Sequence, residues 1–157
     1  MRKQLLLSLF MFLGSSLAHG QSLVSYSNER YGFSLTYPDD LQMDPPADNG
    51  DGRHFSSASG ISISVFGGNN ILDETVATTT KSLLSRFDEV SYRAKGKNWF
   101  VLSGYKGDKV LNIKGFVGKG STNELWIEYP KSLTKQFSSF ASKIVASFKP
   151  GELNESH

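Results

Sequence analysis

The stretch Tyr31-Gly32-Phe33-Ser34-Leu35-Thr36-Tyr37-Pro38 decides the fold class. Phe33, Leu35 and Tyr37 alternate with Ser34 and Thr36, the two-residue period of a strand with one buried face. Pro38 has no N–H to give to a ladder and stops the strand, and Asp39-Asp40 turn the chain away. Upstream, Val24 and Tyr26 alternate with Ser25 and Ser27, and Asn28-Glu29-Arg30 turns this first strand into the second. Most later apolar stretches read as further strands of the same sheet or as helices laid on it.

A short extended piece over 41–43 precedes a loop over 44–52, where Pro45-Pro46 and Asn49-Gly50-Asp51-Gly52 break any period. Residues 53–57 and 61–66 form a strand pair around Ala58-Ser59-Gly60, and Gly67-Gly68-Asn69-Asn70 ends it. A first helix follows, with Asp73 as its N-cap and Leu72, Val76, Thr80, Leu83, Leu84 and Phe87 as its stripe. Thr78-Thr79-Thr80 lowers its propensity. Strands are expected over 90–94, 99–105, 110–117 and 124–129, the first three joined by short glycine-bearing turns. The clearest element is the second helix: Phe137, Phe140, Ala141, Ile144, Val145 and Phe148 share one face, and serines and lysines fill the other. The fold class is therefore α+β, an antiparallel β-sheet packed with two helices.

The 157 residues begin with Arg2-Lys3 and an apolar run from Leu5 to Leu13 interrupted by Ser8. Small residues offer cleavage after Ala18 or Gly20, so 1–20 reads as a secretory signal peptide, with an uncleaved anchor as the alternative; its apolar run is too short to span a bilayer. Cleavage leaves about 137 residues, enough for one domain over 21–151 with a real core and a polar tail over 152–157. Without Arg2 and Lys3 the 17 basic residues fall to 15 and balance the 15 acidic ones, which gives no electrostatic reason to capture nucleic acid or an anionic membrane. There is no cysteine, so the domain has neither disulfides nor a cysteine-linked lipid anchor. The expected location is a bacterial periplasm or the exterior.

Gly118-Lys119-Gly120-Ser121-Thr122 imitates a phosphate loop, but Ile113 stands where the first glycine belongs and Gly120 follows the lysine; it reads as a hairpin turn. Asp48-Asn49-Gly50-Asp51-Gly52 fails the calcium-loop spacing. His54 is the one histidine inside the expected domain, His19 lying at the leader and His157 in the tail. It has no second ligand at metal spacing and no serine in a nucleophile-elbow context, so it reads as a strand residue. No cofactor is called for.

The polar faces of the strands are more informative. Ser34, Thr36, Ser62, Ser64, Asn112, Lys114, Glu124 and Glu128 fall opposite the apolar sets, and Phe66, Phe116 and Trp126 fall with them. Glu124 and Glu128 flank Trp126 at i−2 and i+2, so all three leave the sheet on one side while Leu125, Ile127 and Tyr129 point to the helix lid. Large aromatics among charges mark either a binding surface or a second small core. The binding reading takes Trp126, Phe116, Lys114, Glu124 and Glu128 as the contact residues.

The opening Tyr31–Pro38 strand resembles that of PsbP-like domains, where a Gly-Phe-x-x-x-Tyr-Pro strand is typical. Leu125-Trp126-Ile127-Glu128-Tyr129-Pro130, the helix ending Ala146-Ser147-Phe148-Lys149-Pro150, and Trp99-Phe100-Val101-Leu102-Ser103-Gly104 fit the same pattern. The resemblance implies an antiparallel sheet sandwiched between helices. That fold is shared by photosystem II extrinsic subunits, a Ran-binding transport factor, DcrB-like envelope lipoproteins and chaperones of secreted toxins. These mainly bind partner proteins and share no active site, and this chain lacks the lipoproteins' anchoring cysteine. The expectation is an exported, non-enzymatic accessory protein. Its partner would be an envelope or secreted protein, a toxin that it neutralises among the candidates. The alternative is a small periplasmic hydrolase using His54 with a nearby serine or aspartate.

Overall fold

Strands β1 (Leu23–Ser27) and β2 (Ser34–Pro38) pair antiparallel, with Leu23 opposite Pro38 and Ser27 opposite Ser34. They open a computed structural model that describes residues 22–157; the leader expected over 1–20, with His19, lies outside the described residues. The turn between them is fixed by the buried Asn28. Its Oδ1 accepts from Tyr31 N–H at 2.7 Å and its Nδ2 donates to Gly50 O at 2.9 Å. Gly32 completes the turn at φ 71°, a region side chains avoid.

β1 and β2 do not join the main sheet, contrary to the sequence reading. The other strands are β3 (Gln42–Met43), β4 (Gly52–Ser56), β5 (Ser62–Asn69), β6 (Glu89–Lys95), β7 (Trp99–Lys106), β8 (Lys109–Val117) and β9 (Ser121–Pro130). They form a seven-stranded antiparallel sheet of order β3-β4-β5-β9-β8-β7-β6. The reason lies at the free edge of β2. Ser34 exchanges both backbone hydrogen bonds with Lys149, at 3.0 and 2.9 Å, and Thr36 N–H donates to Ser147 Oγ at 2.9 Å. The edge is closed by the end of the last helix, and no ladder remains to offer another strand.

β5 runs through Gly67 and Gly68 to Asn69 instead of breaking there, because Gly67 pairs with Asn123 and Asn69 with Ser121. A side chain at Gly67 would collide with the Tyr31 ring. Helix α1 (Val76–Leu83) is shorter than its stripe suggested and tightens into a 3₁₀ turn over Leu84–Arg86. Its N-cap is Thr75, not Asp73. Thr78 N–H donates to Thr75 Oγ1 at 3.2 Å, and Thr75 N–H to Thr78 Oγ1 at 2.8 Å, so the threonine run that weakens the helix interior also supplies its cap. Leu72, expected on the stripe, is 78% exposed.

Helix α2 (Thr134–Ser147) lies on the opposite side of the sheet. It buries Phe137, Ala141 and Ile144, and Phe148 follows them at its C-cap, whereas Phe140 is only half-buried at the edge of the stripe. Directly opposed residues in a ladder share a face, so the register assigns every side chain. On the inner face Phe55, Ile63, Val65, Leu125 and Ile127 pack with Phe33 and Leu35 of the small sheet and with the α2 stripe. On the outer face Phe100, Leu102, Leu111, Ile113 and Val117 pack with Val76, Leu83 and Phe87.

Each helix covers only part of its face. α1 touches β7, whereas α2 touches β2, β8 and β9. Among the described residues two regions are left largely open by the helices: the outer face of β4 and β5 with the adjoining edge of β9, and the inner face of β6 and β7. The segment 152–157 lies along one end of the domain. Leu153 O accepts from Gly120 and Ser121 N–H at 2.9 and 3.1 Å, and His157 O accepts from Asn69 Nδ2 and Arg30 Nη2, both at 2.9 Å.

Candidate functional site

On the outer face the three strands place their side chains by register. Ser64 stands opposite Trp126, Phe66 opposite Glu124 and Ser62 opposite Glu128, while His54 stands opposite Ser64. Glu124, Trp126 and Glu128 therefore leave the sheet on one side as expected. Trp126 is half-buried: its ring packs against the outer core, and its other neighbours are Phe66, at 6.4 Å between centroids, and the Arg86 guanidinium at 5.7 Å. Its indole N–H donates to Glu124 Oε2 at 2.7 Å. Phe66 is 37% exposed, a large aromatic facing solvent. Glu128 is at the open end, 3.5 Å from Lys109 Nζ.

Burial pushes the Glu124 carboxyl above the ordinary carboxylate range; the Trp126 hydrogen bond pulls it back in part, Glu74 adds to the rise and Arg86 opposes it. Trp126 is thus both things the sequence left open, a border residue of a second core and an edge of an uncovered face.

Phe116 and Lys114 are not on this face. Ile113 is the direct partner of Trp126, whereas Lys114 pairs with Leu125 and Phe116 with Asn123. β8 is covered by helix on both sides, so it carries apolar residues at both parities, and its face cannot be assigned from alternation alone. Phe116 packs on Phe148 at 5.5 Å between centroids, and Lys114 Nζ donates to Val145 O and Phe148 O at 2.8 and 3.1 Å. The five expected contact residues are split, three outside and two inside.

On the same face lies His54, for which the alternative reading asks for a nearby serine or aspartate without naming either. His54 Nδ1 is 2.6 Å from Asp44 Oδ2, and His54 Nε2 is 2.9 Å from Ser62 Oγ. With Asp44 ionised and the imidazole neutral, Nδ1 carries the hydrogen and Nε2 accepts from the serine hydroxyl; in the imidazolium both nitrogens donate. Asp44 belongs to the loop before β4, and Ser62 is diagonal to His54 across the hairpin. The hairpin register already placed His54 and Ser62 on one face; Asp44 had no such signal. The side chains of His54 and Asp44 are 40% and 39% exposed, so the trio stands on an open sheet surface. Among the described residues no group of three or more His, Cys, Asp or Glu side chains could hold a metal ion.

No family model matches the chain, and no curated protein matches it by sequence. Solved structures do. The solution structure of cyanobacterial PsbP (CyanoP) from Synechocystis sp. PCC 6803 is similar at TM-score 0.59 and 16% identity, over 88% of this chain and 98% of that one. Two further likenesses are weaker: a crystal structure from Bacteroides thetaiotaomicron VPI-5482 at TM-score 0.48, 14% identity and 76% and 45% coverage, and LpqN, described as involved in cell envelope biogenesis of Mycobacterium tuberculosis, at 0.46, 13%, 85% and 88%. The fold is PsbP-like.

Proposed function

We propose that this chain is an exported, non-enzymatic accessory protein of the bacterial envelope that acts by protein–protein contact through the outer face of β4, β5 and β9. The observation that supports this is an aromatic pair, Phe66 and Trp126, set among Ser62, Ser64, Glu124 and Glu128 on a sheet surface that, among the described residues, α1 and its 3₁₀ turn border only at Trp126 and Glu124. Aromatic anchors with a wet polar rim are the composition of interface centres. A secreted toxin neutralised by such contact would be one partner of this kind. Among the described residues no helix is long and apolar enough to cross a membrane.

The test is capture from the native envelope by the tagged protein, followed by affinity measurement with the partner so identified. Because Trp126 borders the outer core, Phe66→Ser is the cleaner variant. It should weaken capture by about 2 kcal/mol or more, with the melting temperature unchanged. Wild-type affinity in both Phe66→Ser and Trp126→Ala would overturn the assignment of this face.

The Asp44–His54–Ser62 series supports a second reading, a hydrolase in which Ser62 attacks, His54 takes its proton and Asp44 orients the imidazole. Labelling by a fluorophosphonate, lost in Ser62→Ala and His54→Ala, would favour it over the binding reading. Absence of labelling at neutral pH would remove it.

A further inference from the structure

The second uncovered region, on the inner face over β6 and β7, forms a groove of about 440 Å³ beside α2. This is within the size range, roughly 300–1,000 Å³, of sites for small ligands. Val101 from β7 and Ala141 and Val145 from α2 give it apolar walls, and the exposed Tyr92 stands at its rim. Asn112 and Tyr129 add polar groups to its lining.

Lys114 sets the chemistry. Two of its three ammonium donors go to Val145 O and Phe148 O at the end of α2, and the Phe116 ring lies 5.3 Å away. Among the described residues no carboxylate forms an ion pair with it; the ion pairs are Asp44 with His54 and Lys109 with Glu128. These carbonyls are the negative end of the α2 dipole and hold the ammonium in place, but they carry only partial charge and no full counter-charge faces it. Burial accordingly holds its pKa below the ordinary lysine value. An anion entering the groove would supply the missing charge.

We propose that this groove binds a small carboxylate with an apolar chain, the carboxylate on the free donor of Lys114 Nζ and the chain along Val101, Ala141 and Val145. The occupant follows from charge complementarity at one end and aliphatic walls along the rest. A polyanion would find no second cation among the residues that line the groove.

The test is an NMR titration of the protein with octanoate, and with octanol as the same chain without the charge. Octanoate should shift the methyl signals of Val101, Ala141 and Val145 saturably, and octanol should bind at least tenfold more weakly. Lys114→Met should lose at least tenfold in octanoate affinity and none for octanol. Ser142→Trp, at an exposed position on the groove wall, should abolish both while melting like the wild type. Should Lys114→Met fail to fold, the octanoate–octanol comparison on the wild type still decides. Equal affinity for the two probes, or shifts confined to other parts of the molecule, would overturn the proposal.

Discussion

Ile144→Ala removes three carbons from a side chain that is 0% exposed, at the centre of the α2 stripe. Burial of each methylene-sized group contributes about 0.8 kcal/mol, which gives about 2.4 kcal/mol for lost transfer alone. The site is walled by the sheet on one side and by Phe33 and Phe148, 6.1 Å apart between centroids, in the same cluster. Such walls do not collapse freely, so a cavity cost of up to about 2 kcal/mol adds to the first figure. The expected loss is therefore about 2.4–4.4 kcal/mol, read in urea melts as a lower midpoint with an unchanged slope. Phe140→Ala is the internal comparison. Its ring is half-buried and rests on Phe137 at 6.3 Å, so it should cost clearly less than Ile144→Ala, about 1–2 kcal/mol. A loss below about 0.5 kcal/mol for Ile144→Ala, or a reversed order of the two variants, would refute the packing of this helix.

Gly151→Ala should be more damaging than its size suggests, because the new methyl would collide with Tyr31 O and the Gly32 backbone; a variant that melts within a degree of wild type would show that the 150–157 segment is not seated there. Glu124 gives a pH dependence with a defined sign. Its folded pKa is above the ordinary 4.5, so the folded state keeps a proton that the unfolded chain has lost; this contribution is full at low pH and disappears as pH rises through the raised value. Thermal melts of Glu124→Gln should show a flatter decline over that window and a higher melting temperature at neutral pH, and an unaltered decline would assign the dependence to other groups. For export, mass spectrometry of the envelope fraction should find a chain beginning at His19 or Gln21, and an intact Met1 there would count against cleavage.

The elements were legible because their periods are clean: the alternation in β2, β5 and β9 and the stripe of α2 all reappear. What alternation could not show was partnership. Phe33 and Leu35 have the pattern of a sheet strand, yet β2 spends its free edge on Ser147 and Lys149, residues over a hundred positions away. The split of the expected contact residues has the same origin. Trp126 and Glu124 lie on a strand with one apolar parity, so their face was readable, whereas Lys114 and Phe116 lie on β8, whose two faces are both covered. Asp44 was invisible for another reason. It sits in an aperiodic loop, and only the folded turn brings its carboxylate to His54.

The clasp between β2 and the end of α2 also sets an order of events. The hairpin of β1 and β2 precedes the other described elements in the chain, but its edge partner Ser147 lies 111 residues downstream of Thr36, and Arg30 meets His157 across 127 residues. Contacts of that separation form late, since the loop they close must be ordered before they repay it. Until the last helix arrives, Phe33 lacks Phe148 and the β2 edge is open. The β1–β2 hairpin therefore gains its edge partner only when residues 134–149 are present, so that the last helix is its fastener.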